Sequence, residues 1–368
     1  VNYHPYEVAF ILIDYKGGGL VGAFEDAEAG IRLPHLIGTI TNLDGSAIQR
    51  SLMSIQSELI RRQRVFNETK NQLGGETIDI YAYQKLFRAG KVAEPMPHLF
   101  IISDEFAELK QQQPDFMEQL ISAARIGRSL GIHLILATQK PSGVVNDQIR
   151  SNAKFKVCLK VQDKSDSMDM LLRPEAAELK DVGRFYLQVG YNEYFALGQS
   201  AWCGAQYEPQ DTVEERVDNS IAVLDNLGQT VLRIAPEAKR SDSGKKQVTA
   251  VVQQLCQLAQ EEKIPVRSLW KDPLPNRLDV SEQGQMPKTP VQAYLGRLDD
   301  PSRQKQFPLF FDFEHCQNLM IVGEGGSGKT TMVQSILYSL CKNYSSGEVQ
   351  FYILDYSSRM LKAFRRTQ

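Results

Sequence analysis

The chain has 368 residues, 42% of them hydrophobic and 23% charged, the composition of a folded protein long enough for two or more domains. A formal net charge of −2 gives no bulk attraction to nucleic acid, and no run of about 18 apolar residues is present to span a membrane. Five scattered cysteines without a C-x-x-C pair argue against a disulfide framework or a cysteine zinc site and fit a reducing cytosol.

Val1-Asn2-Tyr3-His4-Pro5 has neither the basic start nor the apolar core of a signal peptide. With no initiating Met, the chain is expected to be a piece of a longer protein. Val8–Ile13 is an apolar run closed by Asp14, the pattern of a buried parallel strand. A long amphipathic helix is expected over about 46–67, with Ile48, Leu52, Ile55, Leu59 and Phe66 as its apolar stripe. Arg61, Arg62 and Arg64 are placed on its solvent side, where arginine normally lies.

Leu99-Phe100-Ile101-Ile102-Ser103 is a second strand, and it ends in Asp104-Glu105. Phosphate-loop ATPases end a strand this way: the first carboxylate holds Mg²⁺, mostly through water, and the second orients and deprotonates the attacking water. Asp104 is therefore a candidate metal-binding residue and Glu105 a candidate catalytic one. The alternative is a strand end meeting a helix N-cap.

Phe116, Leu120, Ile121 and Ala124 form a helical stripe, with Arg125 and Arg128 three apart on the same helix and Gly131 as its stop. Ile132–Ala137 is a third strand, finishing in Thr138-Gln139. Polar residues gathered at one edge of a parallel sheet mark the ligand edge of an α/β fold. Gln139 is thus a candidate to sense a γ-phosphate or orient water, the alternative being a strand-end cap. For the two arginines the alternative is surface solvation. His133 reads as a packed strand residue. Further strands are expected at 154–161, 183–189 and 194–202, the last closing the first unit.

Residues 208–292 change character. Lys239–Lys246 is polar and turn-rich, a short amphipathic helix is expected over Val248–Gln260, and Val266–Pro275 is extended and proline-rich around Trp270. Asn318–Val322 then reads as a buried strand. It leads into Gly323-Glu324-Gly325-Gly326-Ser327-Gly328-Lys329-Thr330, a full G-x-x-x-x-G-K-[ST] match, and Met332, Val333, Ile336, Leu337 and Leu340 follow at helical spacing. In such a loop the glycines (Gly323, Gly325, Gly326, Gly328) and Ser327 let backbone N–H groups close around phosphates at a helix N-terminus. Lys329 reaches the β- and γ-phosphates, and the Thr330 hydroxyl ligates Mg²⁺. ATP and Mg²⁺ are the implied cofactors. A loop that binds without hydrolysing stays open.

The two ends of the chain repeat. Val8-Ala9-Phe10 to Asp14-Tyr15 and Val349-Gln350-Phe351 to Asp355-Tyr356 share V-x-F-x-x-x-D-Y at an offset of 349 − 8 = 341. The second run follows the phosphate-loop helix, so by analogy the first follows such a helix lying before Val1. The chain then holds the back of one unit and the front of the next in a tandem array.

Asp104-Glu105-Phe106-Ala107-Glu108-Leu109 and Ala124-Arg125-Ile126-Gly127-Arg128-Ser129-Leu130-Gly131-Ile132-His133-Leu134-Ile135-Leu136-Ala137-Thr138-Gln139 resemble the FtsK/SpoIIIE class of motor ATPases over most of residues 8–207. Asp14-Tyr15-Lys16-Gly17-Gly18-Gly19, Leu33-Pro34-His35-Leu36, Thr41-Asn42-Leu43 and Ser151–Val161 are similar to one branch, the EssC/EccC family of type VII secretion ATPases. Gly296-Arg297-Leu298-Asp299-Asp300-Pro301 is similar to the opening of that family's second unit. The resemblance implies an α/β fold of RecA-like P-loop NTPase units in tandem, with mostly parallel sheets flanked by helices. Residues 1–207 are then a first unit without its N-terminal P-loop part, 208–292 a connector, and 293–368 the front of a second unit.

The resemblance also implies ATP hydrolysis that drives export of small helical-hairpin proteins, from a membrane-anchored protein on the cytosolic side. Neighbouring ATPase units in a hexamer and other membrane components of the machine are the implied partners. The family's arginine finger falls on Arg128. A DNA translocase, or a scaffold that binds nucleotide without hydrolysing it, are the competing readings; the tandem, non-identical units oppose DNA. Lys16-Gly17-Gly18 of the first repeat has become Ser357-Ser358-Arg359 in the second, so the two units have diverged.

Overall fold

The structure, a computed structural model, describes the whole chain apart from residues 1, 15–18, 27, 42–44, 74–76, 146, 192, 208–219, 235–244, 266–267, 272–273, 280–289, 357–359 and 367–368. Tyr15-Lys16-Gly17-Gly18, Asn42-Leu43, most of the polar connector segment 239–246, parts of the proline-rich run, and Ser357-Ser358-Arg359 therefore lie outside the described residues. Two compact units result, Val1–Ser268 and Leu269–Gln368.

In the first unit the elements run β1 (Val8–Asp14), β2 (Glu25–Asp26), β3 (Ile31–Arg32), β4 (Leu36–Ile40), α1 (Gly45–Leu73), α2 (Ile80–Arg88), β5 (His98–Asp104), α3 (Phe106–Gln112), α4 (Pro114–Ile126) and β6 (Ile132–Leu136). They continue with α5 (Asp147–Asn152), β7 (Phe155–Leu159), α6 (Lys164–Leu171), β8 (Arg184–Val189), β9 (Tyr194–Gln199), β10 (Ile221–Leu224), β11 (Thr230–Ile234) and α7 (Gln247–Glu261). The central sheet is parallel, in the order β4-β1-β5-β6. Its strands are apolar runs of the kind that parallel sheets bury on both faces: Ala9, Ile11, Ile13, Leu99 and Ile101 are fully buried. The register sets Asp14 opposite Asp104 and Val8 opposite His98, so the acidic strand ends share one edge of the sheet.

The apolar stripe of α1 is buried at Ile48, Leu52, Ile55 and Phe66, and α1 packs against α4. Arg61, its side chain only 16% exposed, departs from the sequence expectation, and Arg62 departs further. Arg62 is 0% exposed, whereas Arg64 remains in solvent. Helix α4 also differs: it ends at Ile126 with Gly127 as C-cap, so Arg128 is not on the helix but in the turn that follows, and Gly131 closes that turn rather than the helix. The reason is the Gly127 carbonyl. It accepts from Leu130 N and Ile132 N, both at 2.9 Å, and these bonds pull the chain out of helical register and into β6.

The three strands after β6 form a separate antiparallel sheet, β7-β8-β9, backed by Cys158, Leu171, Ala176 and Leu179; β9 stops at Gln199, short of Trp202. Helix α7, from the connector, packs through Val248, Val252 and Leu255 against Leu12, Leu33 and Leu36 of the first unit.

The second unit holds an antiparallel hairpin, β12 (Gln292–Asp300) with β13 (Lys305–Asp312), then α8 (Phe313–Cys316) and α9 (Lys329–Asn343). Ile336, Leu340 and Tyr344 form its core with Ala293. The expected strands at 318–322 and 349–355 are not hydrogen-bonded strands: a strand needs a ladder partner, and neither run has one among the described residues. Ile321, Val349 and Phe351 still pack on the core beside α9, while Met320 and Tyr352 stand 86% and 93% exposed.

The repeat at the two ends has a structural counterpart. Asp14 Oδ2 accepts from Leu20 N at 2.7 Å, and Asp355 Oδ2 accepts from Leu361 N at 3.3 Å; the offsets are 355 − 14 = 341 and 361 − 20 = 341. A 3₁₀ turn follows each, at Val21–Ala23 and Met360–Arg366.

Candidate functional site

Glu105 is the most constrained polar residue at the acidic edge. It sits between β5 and α3 with φ 55 and ψ 56, a left-handed conformation that costs a side-chain-bearing residue roughly 1–2 kcal/mol. The turn swings its carboxylate back over the end of β6. Thr138 Oγ1 donates to Glu105 Oε1 at 2.6 Å, and Gln139 N donates to both carboxylate oxygens at 3.3 Å. The side chain is 4% exposed. Strained backbone held by tertiary contacts around a buried carboxylate is the kind of outlier that clusters at reacting centres.

The partner strand is arranged to meet it. β6 ends at Leu136, three residues before the expected end, yet pairing continues through Ala137 N to Ser103 O and Phe106 N to Ala137 O, both at 2.9 Å. The chain then turns so that Thr138 and Gln139 face Glu105, leaving the Gln139 side chain exposed. Asp104 lies beside them at the end of β5, half-buried, and its carboxylate accepts no hydrogen bond among the described residues. An uncommitted carboxylate on this edge suits a hydrated divalent cation.

Asp104, Glu105 and Gln139 are thus brought together. Thr138 belongs with them and was missed as a site residue from sequence, although a hydroxyl directly after an apolar strand was its signal. Arg128 is not with them. Its turn precedes β6, at the opposite edge of the sheet, a separation on the order of 20 Å for a seven-residue strand. Arg125 and Arg128 are both exposed.

The glycine-rich loop lies in the other unit. Gly326 and Gly328 have φ +80 and +92, which only glycine adopts without strain, and they fold the loop onto the N-terminus of α9. The amides of Gly325, Gly326 and Gly328 donate to no group among the described residues. Lys329 Nζ donates to the carbonyls of Gly323 at 2.7 Å and Glu324 at 2.5 Å, while Thr330 is half-buried on the first turn of α9. Uncommitted amides, an ammonium in the loop mouth and a helix N-terminus fit a phosphate chain with its cation. Among the described residues, no group of three or more His, Cys, Asp or Glu could hold a metal by itself, and no helix is long and apolar enough to cross a membrane.

The FtsK/SpoIIIE family profile matches residues 1–143 and 295–367, more than half of the chain. The chain belongs to the FtsK/SpoIIIE family. This is a family of P-loop ATPases, and the matched segments carry the Asp104-Glu105 strand end and the glycine-rich loop. The type VII secretion system protein EssC of Staphylococcus aureus is 42% identical over 374 residues, 98% of this chain and 24% of the relative. The ESX secretion system protein EccC of Geobacillus thermodenitrificans is 43% identical over 377 residues, again 24% of its length. The chain therefore spans about a quarter of these relatives. Among solved structures, the cytoplasmic domain of the Thermomonospora curvata type VII secretion ATPase EccC aligns with TM-score 0.72 over 98% of this chain and 38% of that one, at 24% identity. ATPases 2 and 3 of Geobacillus thermodenitrificans EssC align with TM-score 0.60 over 92% and 54%, at 20% identity. The likeness fixes the fold of this FtsK/SpoIIIE chain as that of P-loop NTPase domains.

Proposed function

We propose that this chain is the back of one ATPase unit joined to the front of the next, within a motor of type VII protein secretion. Residues 1–207 are the first unit without its phosphate loop, 208–292 the connector and 293–368 the loop-bearing front of the second. ATP and Mg²⁺, when bound, supply the phosphoryl group to be transferred and the counter-charge for it. Asp104 holds the cation through water, Glu105 orients and deprotonates the attacking water, and Gln139 reads the γ-phosphate. In the second unit Gly323, Gly325, Gly326, Ser327 and Gly328 cradle phosphates, Lys329 reaches the terminal ones and Thr330 ligates the metal. Arg128 serves a nucleotide held by a neighbouring unit, a role supported by its exposure and its place on the edge opposite Glu105.

The observation that carries the ATPase reading is the buried Glu105 carboxylate, held in a left-handed turn by Thr138 and Gln139 beside an uncommitted Asp104. Similarity to EssC and EccC along the whole chain supports secretion rather than DNA movement. On this reading the full protein works at the cytoplasmic face of the cell membrane as a hexamer, with other membrane components of the machine, and exports small helical-hairpin proteins. The test is Glu105→Gln in the full-length protein. ATP turnover should fall about 10²–10⁴-fold and export should stop, with protein abundance unchanged. Undiminished turnover and export would remove this unit from the motor.

A further inference from the structure

The most deeply buried charged group among the described residues is far from Glu105. Arg62 is 0% exposed and Glu58 1%, both on α1. Glu58 Oε1 accepts from Arg62 Nε at 2.9 Å, and Arg61 grips the same carboxylate through Nε at 2.9 Å and Nη2 at 2.8 Å. Arg62 then uses Nη1 on a backbone carbonyl, that of Leu130, at 2.8 Å. A buried ion pair adds little net stability compared with apolar side chains of the same volume, so stability alone does not explain this one.

Leu130 lies in the turn Gly127–Gly131, and every carbonyl of that turn is bound. Gly127 O takes Leu130 N and Ile132 N, Arg128 O takes Gly131 N at 3.3 Å, Ser129 O takes Ile80 N at 3.0 Å, and Gly131 O takes Leu99 N at 2.8 Å. Leu130 O completes the set, and its donor is a side chain. The clamp thus draws on α1, on the first residue of α2 and on β5. Both flanking glycines are packed: a Cβ on Gly127 would meet Ile132 Cβ at 2.8 Å, and one on Gly131, where φ is +75, would meet Ile80 Cγ1 at 2.5 Å. The single long side chain that this rigid turn sends into solvent is that of Arg128.

We propose that Arg62, held by Glu58, is a positioning residue for Arg128: it locks the backbone of the turn so that the exposed guanidinium is presented in one place. This rests on the reading of Arg128 as a group acting on a neighbour's nucleotide. Locking the backbone lowers the cost of ordering the arginine when the neighbour arrives. A loosened turn would leave nucleotide binding alone and slow the chemical step, because small misplacements of a group acting on the transition state are expensive.

The experiment is a double-mutant cycle in the full-length protein, reading kcat, KM for ATP and melting temperature. Arg62→Lys keeps the charge next to Glu58 but cannot span both Glu58 and the Leu130 carbonyl. It should lower kcat by about tenfold with KM unchanged, and combined with Arg128→Ala it should add nothing to the loss from Arg128→Ala alone. A full kcat, or losses that multiply, would overturn the proposal. If Arg128→Ala itself left kcat intact, the underlying reading of Arg128 would fall, whatever Arg62→Lys did. Hydrogen exchange on the unaltered protein gives a check that needs no variant: the amides of Leu130, Gly131 and Ile132 should exchange as slowly as those of β5. Exchange at loop-like rates would show that no clamp exists.

Discussion

Thr138 and Glu105 illustrate how little of the site's chemistry depends on long-range forces. One hydroxyl, 2.6 Å from one carboxylate oxygen, helps set which way the proposed general base faces, and the left-handed turn at Glu105 holds the carboxylate over the end of β6. In a protein with the complete first unit, Thr138→Val should lower kcat about tenfold while ATP affinity stays the same, since the side chain orients the base without touching nucleotide. Stopped-flow binding and steady-state turnover check this, and a loss of affinity with full kcat would place Thr138 on the nucleotide instead. The gathering of Asp104, Glu105 and Gln139 was legible in the sequence, because polar side chains that close apolar strands collect at one edge of a parallel sheet. Arg62 was not, because arginine so rarely goes inside. Its spacing did carry the signal: Ile48, Leu52, Ile55, Leu59, Arg62 and Phe66 follow at alternating steps of four and three, so Arg62 sits on the apolar stripe itself.

Elements were read well where a single period held and poorly where tertiary bonds cut them short. The strands β1, β5 and β6 and helices α1 and α9 were visible from their apolar patterns, though β6 leaves Ile135 46% exposed. The end of α4 was placed too late, because Gly131 was taken as the stop while Gly127 caps the helix and its carbonyl takes the two bonds that turn the chain into β6. The runs 318–322 and 349–355 have strand composition but no ladder, which is a property of their neighbours and not of their own residues. The start of the parallel sheet carries a pH dependence of its own. His98 Nδ1 and His133 Nε2 lie 2.9 Å apart on paired strands, and burial lowers both below the ordinary histidine value of 6.5, with Arg62 adding to the shift. Burial likewise lowers His35. Lowered values in the folded state mean that the unfolded chain binds protons first. The stabilisation is therefore full above pH 6.5 and is lost as pH falls through the folded-state values below it. Melting temperature should drop between pH 7 and pH 5, and His98→Asn/His133→Asn should flatten that slope, leaving the part due to His35. An unchanged slope in the double variant would show that the pair does not titrate in this range.

At the scale of the whole molecule, the chain carries one glycine-rich loop and one Asp-Glu strand end, in separate compact units at positions 323–330 and 104–105. The recurrence of an aspartate capping the amide six residues on, at both ends and at the same offset of 341, fits two copies of one architecture rather than two halves of one. The shared V-x-F-x-x-x-D-Y run had already pointed there. What sequence did not reveal is that the connector helix α7 belongs to the first unit's core, because an amphipathic stripe shows that a helix packs without showing on what. The measurement that bears most directly on this account is ATP turnover by residues 1–368 alone, alongside nucleotide binding. The account expects binding that Lys329→Ala removes, with turnover at background, because the loop and the general base serve different nucleotides. Robust turnover by this chain, abolished by Lys329→Ala and by Glu105→Gln alike, would mean that its two ends complete a single site and would contradict the tandem reading.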